Sequence, residues 1–230
     1  MSHHPTSARV FDKYRIDYCC GGTTSLVDAC EPRGLDPRSL LLELQIAQSL
    51  ENTTNVQDWT LRTLTELCDH VEQTHHNYLR QELPRLSELI EKVASVHGER
   101  NPNLHRVNEA FCSLRNELEP HMVKEEQILF PAVRLMEASK VLPQFHFGTI
   151  ENPIRMMEHE HDLAGRLLIH IRNLLNGFQP PEDACNSYRA MLKGLEELEA
   201  DLHSHIHKEN HILFSRAMNM EGEAHRKTGS

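Results

Sequence analysis

Histidine and glutamate side chains interrupt otherwise apolar helical stripes at a few positions of this 230-residue chain, which contains 17 histidines. Burying a carboxylate without a partner is costly, and no lysine or arginine lies on these stripes to neutralise it. Metal cations would neutralise it, because imidazole and carboxylate groups are metal ligands. The stripe residues that a metal would explain are His121, Glu125, His161, His205 and Glu209.

The spacing of these residues strengthens the prediction of a metal site. His121-x-x-x-Glu125 and His205-x-x-x-Glu209 each place a histidine and a glutamate one helical turn apart, on one face. A single pair of this kind arises by chance, whereas two pairs on the core stripes of long helices indicate a shared site.

An internal repeat completes the set of ligands. Residues 121–130 match residues 205–214 at an offset of 84, and a shift of one further residue aligns His76 with His161. The repeated unit is one helix with a single histidine followed by one helix with a His-x-x-x-Glu pair. Two copies of this unit supply four histidines and two carboxylates. Two bridging carboxylates with two histidines on each side suit a dinuclear iron site. From the residues alone, His75 competes with His76 for the fourth histidine position.

Two other metal sites fit less well. A ferritin-like site uses two Glu-x-x-His motifs, and the chain offers only Glu158-x-x-His161 without a matched second motif. A zinc enzyme with three protein ligands would leave three stripe residues unexplained. Four further histidines fall on polar helix faces and are not predicted as ligands: His159, His203, His207 and His211.

The elements that position these residues are four long helical patterns separated by segments rich in proline and glycine. Apolar residues recur at alternating steps of three and four, and the second pattern continues through Ile128 and Leu135. The first pattern splits into two stripes that are out of register at His75 and His76, which predicts a bulge there. The fold class predicted is all-α, an up-down four-helix bundle with a small helical N-terminal domain.

We place the domain boundaries by composition. Residues 1–50 form a small helical domain punctuated by glycine and proline, residues 51–56 are a polar linker, and residues 57–220 form the bundle. Aromatic residues make up only 5% of the chain, which favours helices over a sandwich or barrel.

Composition also excludes several classes of partner. The net charge is −10, from 34 acidic and 24 basic residues, and the basic residues are scattered, so nucleic acid is not an expected partner. No apolar run has the roughly 18 residues of a membrane span. The first residues lack the apolar core of a signal peptide, and we expect a cytoplasmic protein.

The six cysteines are spread along the chain, which favours reduced thiols over a disulfide framework. Cys68, Cys112 and Cys185 lie within helical patterns and are interpreted as buried apolar residues. Cys19 and Cys20 differ, because they are adjacent and stand between a short apolar segment and a turn. Adjacent thiols can bind metal or relay electrons through a strained disulfide.

Five segments together resemble a known family: DYCCGG (17–22), HNYLRQELP (76–84), HMVKEEQILFP (121–131), EHDLAGRLL (160–168) and HIHKENHILF (205–214). The last four resemble a hemerythrin-like domain. With DYCCGG, nearly the whole chain resembles the di-iron repair-of-iron-centres family, cytoplasmic proteins of nitrosative and oxidative stress defence.

The resemblance implies two iron ions in an oxo- and carboxylate-bridged centre. By motif, the ligands would be His76, His121, Glu125, His161, His205 and Glu209, with both glutamates bridging. It favours His76 over His75, since the family histidine stands eight residues before the proline, here Pro84. Two departures are Pro120, which removes a backbone hydrogen bond beside His121, and Ser215 in place of a proline.

The resemblance implies a non-haem di-iron protein that repairs damaged iron–sulfur clusters, by supplying iron, with Cys19 and Cys20 as an acceptor or relay. One alternative is an enzyme that reduces nitric oxide to nitrous oxide at the same centre. Another is a sensor or carrier that binds oxygen or nitric oxide. The expected partners are damaged iron–sulfur proteins and these gases, and a homodimer is left open.

Overall fold

The computed structural model describes residues 6–14, 16, 18, 24–51 and 58–228, and in that part of the chain it contains helices and no β-strand. This confirms the predicted all-α class. Cys19, Cys20 and residues 52–57 lie outside the described residues. The linker and the domain boundaries therefore stay predictions.

Three short helices make up the N-terminal part: α1 (Thr6–Lys13), α2 (Leu26–Cys30) and α3 (Pro37–Glu51). The Ser25 side chain caps α2 by accepting from the backbone N–H of Asp28, as serine commonly does at a helix start. These helices bury an apolar cluster of their own: Val10, Phe11, Ile16, Tyr18, Ala29, Cys30, Leu40 and Leu44.

Four long helices form the bundle. We label them α4 (64–97), α5 (103–138), α6 (Glu151–Leu174) and α7 (186–228). Connections of a few to about a dozen residues join them, which makes neighbouring helices antiparallel. The Thr63 side chain and Glu66 form a capping box at the start of α4, and the Glu137 carboxylate from α5 accepts the backbone N–H groups of Leu64 and Thr65 at 2.8 Å each.

Three of these helices contain a π-helical segment: Val71–His76 in α4, Glu125–Leu129 in α5 and Glu209–Phe214 in α7. The first is the irregularity that the sequence predicts at His75 and His76. The other two were not predicted. The π turn in α5 changes the register, so that Leu129 is buried whereas Ile128 and Leu135, expected in the core, are 40% and 50% exposed.

The bundle core consists of two apolar clusters, one toward each end. One cluster contains residues such as Leu79, Phe111 and Leu168. The other contains residues such as Val71, Phe130 and Phe214. On α4, α6 and α7 the predicted metal ligands lie between the two clusters, and on α5 they lie between Leu118 of the first cluster and Leu129 of the second. The fold therefore encloses a polar layer between two apolar ones.

Several sequence interpretations are wrong in detail. Cys68 is buried as expected, but Cys112 and Cys185 are exposed, because each lies on the outer side or at the end of its helix. The helical pattern predicts His207 on a polar face, yet it is only 8% exposed, because the ring of Tyr18 packs against it.

Within the described residues, no helix is long and apolar enough to cross a membrane.

Candidate metal centre

The six predicted ligands converge from all four bundle helices. α4 contributes His76 at the end of its π segment, and α6 contributes His161. α5 and α7 each contribute a histidine followed one turn later by a glutamate. All six residues are at most 2% exposed: His76, His121, Glu125, His161, His205 and Glu209.

These residues form two groups that could each hold a metal ion. One group consists of His76, His205 and the two glutamates, and the other consists of His121, His161 and the same two glutamates. The donor atoms within each group lie within 4.8 Å of one another. Glu125 and Glu209 therefore belong to both groups, in the arrangement expected of bridging carboxylates.

The two glutamates present their oxygens differently. Glu209 points Oε1 at His205 Nε2, 3.0 Å away, and Oε2 at His161 Nε2, 3.2 Å away. Glu125 points a single oxygen, Oε2, at Nε2 of both His76 (3.2 Å) and His121 (3.4 Å). Neither contact of Glu125 has hydrogen-bond geometry. The histidine nitrogens and glutamate oxygens of the two groups therefore surround a common space.

The outer nitrogen of three histidines makes a short hydrogen bond to an oxygen. His76 Nδ1 donates to Glu126 at 2.7 Å, His121 Nδ1 donates to Glu160 at 2.8 Å, and His161 Nδ1 donates to Asn210 at 2.8 Å. Such bonds assign the proton to Nδ1 and leave the Nε2 lone pair directed inward.

The inner nitrogens of His121 and His161 lie only 3.1 Å apart. With both Nδ1 atoms donating outward, two inward lone pairs face each other, which requires a proton or a metal cation between them. Burial lowers the pKa of His121, but the carboxylates of Glu125 and Glu160 outweigh it and raise that pKa to about 10. Without metal, His121 is therefore an imidazolium that balances nearby negative charge.

The two buried glutamates show the same need for positive charge. Burial raises the pKa of Glu209, but His205 and His161 lower it more, so the group stays ionised. Both Glu125 oxygens and Glu209 Oε2 are buried without a hydrogen-bond partner among the described residues. Orphaned buried carboxylate oxygens surrounded by imidazole nitrogens fit a metal cation.

His75, the alternative to His76 for the fourth histidine position, does not belong to either group. Its Nδ1 donates to Asp201 at 2.8 Å, and its Nε2 accepts from the Lys208 ammonium at 2.8 Å. Burial lowers the pKa of His75 to about 4, so the ring is neutral. The His75 ring is therefore part of a hydrogen-bond network with Asp201 and Lys208 of α7.

Sequence reasoning missed the residues that hold the candidate ligands, which are Glu126, Glu160 and Asn210. It also missed Arg80, which pairs with Glu126, and Lys124, which pairs with Glu160. A signal was present, because Glu126 and Asn210 directly follow the predicted bridging glutamates and Glu160 directly precedes His161.

The structure does not place Cys19 and Cys20, which lie outside the described residues. Their neighbour Tyr18 is buried against α7, with its ring centre 5.9 Å from that of His203 and 5.5 Å from that of His207. The chain preceding the two cysteines therefore contacts the helix that carries His205 and Glu209.

Comparison with known proteins identifies two matching families. Residues 69–217 match the hemerythrin HHE cation binding domain, and residues 2–48 match a domain of unknown function, DUF542. A probable iron-sulfur cluster repair protein of Haemophilus influenzae is 37% identical over 94% of this chain and 92% of its own length. The iron-sulfur cluster repair protein YtfE of Shigella boydii is 36% identical over 93% of this chain and 92% of its own length.

Proposed function

Since the chain belongs to the family of iron-sulfur cluster repair proteins with a hemerythrin HHE domain, we propose that it is a non-haem di-iron protein that repairs damaged iron–sulfur clusters by supplying iron. Its partners are then damaged iron–sulfur proteins. The proposal depends above all on one observation, the two buried donor groups that share Glu125 and Glu209.

We propose that His76 and His205 hold one iron, that His121 and His161 hold the other, and that both glutamates bridge. Mixed imidazole and carboxylate ligation suits both Fe(II) and Fe(III). Bound iron would supply one-electron redox chemistry and open coordination positions for a small ligand. Six protein ligands shared by two ions leave such positions available.

The chain's own residues prepare this site. Glu126, Glu160 and Asn210 hold three imidazoles with their inner nitrogens toward the centre. The apolar clusters on either side exclude water, which strengthens the attraction between the carboxylates and a cation. Preorganised ligands of this kind support a site that is loaded and emptied without refolding the bundle.

The test is iron transfer. Ferrous, iron-loaded protein is mixed with an apo iron–sulfur protein and sulfide, and cluster formation is followed by absorbance. We expect clusters to form faster than with free ferrous iron at the same total concentration, and we expect Glu209→Ala to lose this advantage. Transfer no faster than from free iron contradicts the proposal.

The alternatives predicted from the sequence have separate outcomes. Exposure of the reduced protein to nitric oxide, with nitrous oxide measured in a single turnover, tests whether the centre is a nitric oxide reductase. Nitrous oxide formation without iron transfer would replace the repair proposal with that enzyme, and gas binding with neither product would replace it with a sensor.

A further inference from the structure

The two halves of the metal centre come from repeated sequence but are not equivalent. At the offset of 84 residues, Lys124 corresponds to Lys208. One residue further, at the offset that aligns His76 with His161, His75 corresponds to Glu160. The same place in the repeat is therefore a carboxylate in one half and an imidazole in the other.

In the half formed by His121 and His161, both outer nitrogens are anchored. Glu160 Oε2 accepts from His121 Nδ1 at 2.8 Å, and Lys124 pairs with the other oxygen of Glu160. Asn210 accepts from His161 Nδ1 at 2.8 Å. Each imidazole is held at both ends once a metal binds Nε2.

In the half formed by His76 and His205, only one outer nitrogen is anchored. Glu126 accepts from His76 Nδ1 at 2.7 Å and is held in turn by Arg80. His205 Nδ1 is buried and has no hydrogen-bond partner anywhere in the described part of the chain. One ligand of this half therefore lacks the acceptor that the other three possess.

His75 is the reason for the missing anchor. Its ring is parallel to that of His205, with the ring centres 5.0 Å apart and an angle of 1° between the planes. Stacked rings present faces rather than nitrogen atoms, so the pair cannot hydrogen-bond. Asp201 and Lys208 occupy both nitrogens of His75, which keeps it in this orientation.

We infer that the half formed by His76 and His205 releases its metal first, and that His75 is the positioning residue that makes it labile. An acceptor on the outer nitrogen fixes the ring and raises the basicity of the ligating nitrogen, and its loss weakens metal binding about 10–100-fold. This inference rests on the proposed function, because an iron donor needs one ion that leaves readily.

The experiment measures release from protein loaded with two ferrous ions per chain into an excess of the chelator ferrozine. We expect two phases of one equivalent each, with rates that differ about tenfold or more. A single phase that releases both equivalents would overturn the inference.

Two matched substitutions assign the phases. Glu126→Gln and Glu160→Gln each weaken the acceptor of one histidine and leave one basic partner, Arg80 or Lys124, without its carboxylate. We expect Glu126→Gln to accelerate only the fast phase and Glu160→Gln to accelerate only the slow phase. The opposite assignment would contradict the inference.

His75→Glu supplies the carboxylate that the repeat has in the other half. We expect this variant to slow the fast phase toward the slow one and to make the two iron environments more alike in Mössbauer spectra. If the variant does not fold, the two glutamine substitutions still decide which half releases its metal first. An unchanged fast phase in folded, loaded His75→Glu would remove His75 from the explanation.

Failure of this inference is separable from failure of the proposed function, because the chelator assay contains no client protein. Two correctly assigned phases without transfer to an apo iron–sulfur protein would uphold the asymmetry and overturn the repair role. Iron transfer from a protein that releases both ions in one phase would uphold the repair role and overturn the asymmetry.

Discussion

At the scale of single residues, burial alone does not distinguish a candidate metal ligand from another core histidine. His75 and His207 are only 3% and 8% exposed, much like the four histidines of the centre. What distinguishes the four is that each Nε2 faces Glu125 or Glu209, and within the described residues neither of these carboxylates forms an ion pair with a lysine or arginine. His75 instead binds Asp201 and Lys208, and His207 packs against Tyr18.

This difference predicts opposite effects of two substitutions on one helix. Glu209→Ala removes a carboxylate that both groups share, and we expect the protein to lose at least one of two irons. His207→Ala, two residues away, should retain both. Iron per chain, measured by elemental analysis after desalting, checks the pair, and full loading of Glu209→Ala would contradict the ligand assignment.

The cysteines of the N-terminal part lead to a second prediction at this scale. None of the six proposed ligands is sulfur, so the double variant Cys19→Ala, Cys20→Ala should keep its iron and its di-iron absorption. As a relay or acceptor, the two cysteines would act after the di-iron site has assembled. We therefore expect the double variant to lose most of its cluster-repair activity.

The matched control is Cys112→Ala, which removes an exposed thiol from α5 and should leave repair unchanged. Unchanged repair in the double variant would reduce Cys19 and Cys20 to a structural turn. Loss of iron would show that they belong to the metal site.

At the scale of elements, the π-helical segments coincide with the proposed ligands. Val71–His76 ends at one proposed ligand, while Glu125–Leu129 and Glu209–Phe214 each begin at one. An extra residue in a turn rotates all later side chains by about 100° relative to a regular helix. Each helix can therefore direct polar ligands inward and still bury its apolar residues beyond the site.

The start of α4 offers a prediction about stability and pH. Burial raises the pKa of Glu137, but the backbone N–H groups of Thr65 and Leu64 lower it more, so the net shift is downward. A depressed pKa means that the ionised carboxylate stabilises the fold above its unfolded-state pKa. This stabilisation is lost as the pH falls through the folded-state pKa.

We expect Glu137→Gln to lower the free energy of unfolding of the metal-free protein by about 1 kcal/mol at neutral pH. The difference from the parent protein should shrink below about pH 4. Urea unfolding at several pH values measures this difference in the free energy of unfolding. Glu117→Gln, at an exposed position of the same helix, is the control and should change stability little, and an equal loss in both variants would refute the capping role.

At the scale of the whole molecule, the candidate metal centre is a polar layer in the middle of the bundle. Four imidazoles and two carboxylates separate the two apolar clusters of the core. Without metal, protons or water must compensate the buried charge, and both do so less well than a cation.

Metal should therefore stabilise the entire bundle. At a free metal concentration 100 times the Kd, each ion adds about 2.7 kcal/mol. For a chain of this size about 1 kcal/mol corresponds to about 2–4 °C. We expect the Tm of the iron-loaded protein to exceed that of the metal-free protein by about 10–20 °C in calorimetry. Equal Tm values would indicate an exposed, incidental site.

Much of this protein follows from its sequence alone. Helical periodicity is a local property, so the regular stripes predict four helices and the faces that they bury. The ligand types on those stripes, and the repeat that doubles them, predict a buried metal-binding layer before any contact is known. The change of register at His75 and His76 likewise predicts the π segment in α4.

Only the tertiary structure decided how the candidate ligands are held. Glu160 meets His121 and Asn210 meets His161 across separations of 39 and 49 residues, and such contacts depend on how the helices rotate against one another. The same rotation stacks the His75 ring on that of His205, and the packing of Tyr18 from the N-terminal part against α7 buries His207. Periodicity specifies which face of a helix points inward, but the packing of four helices determines which atoms meet there.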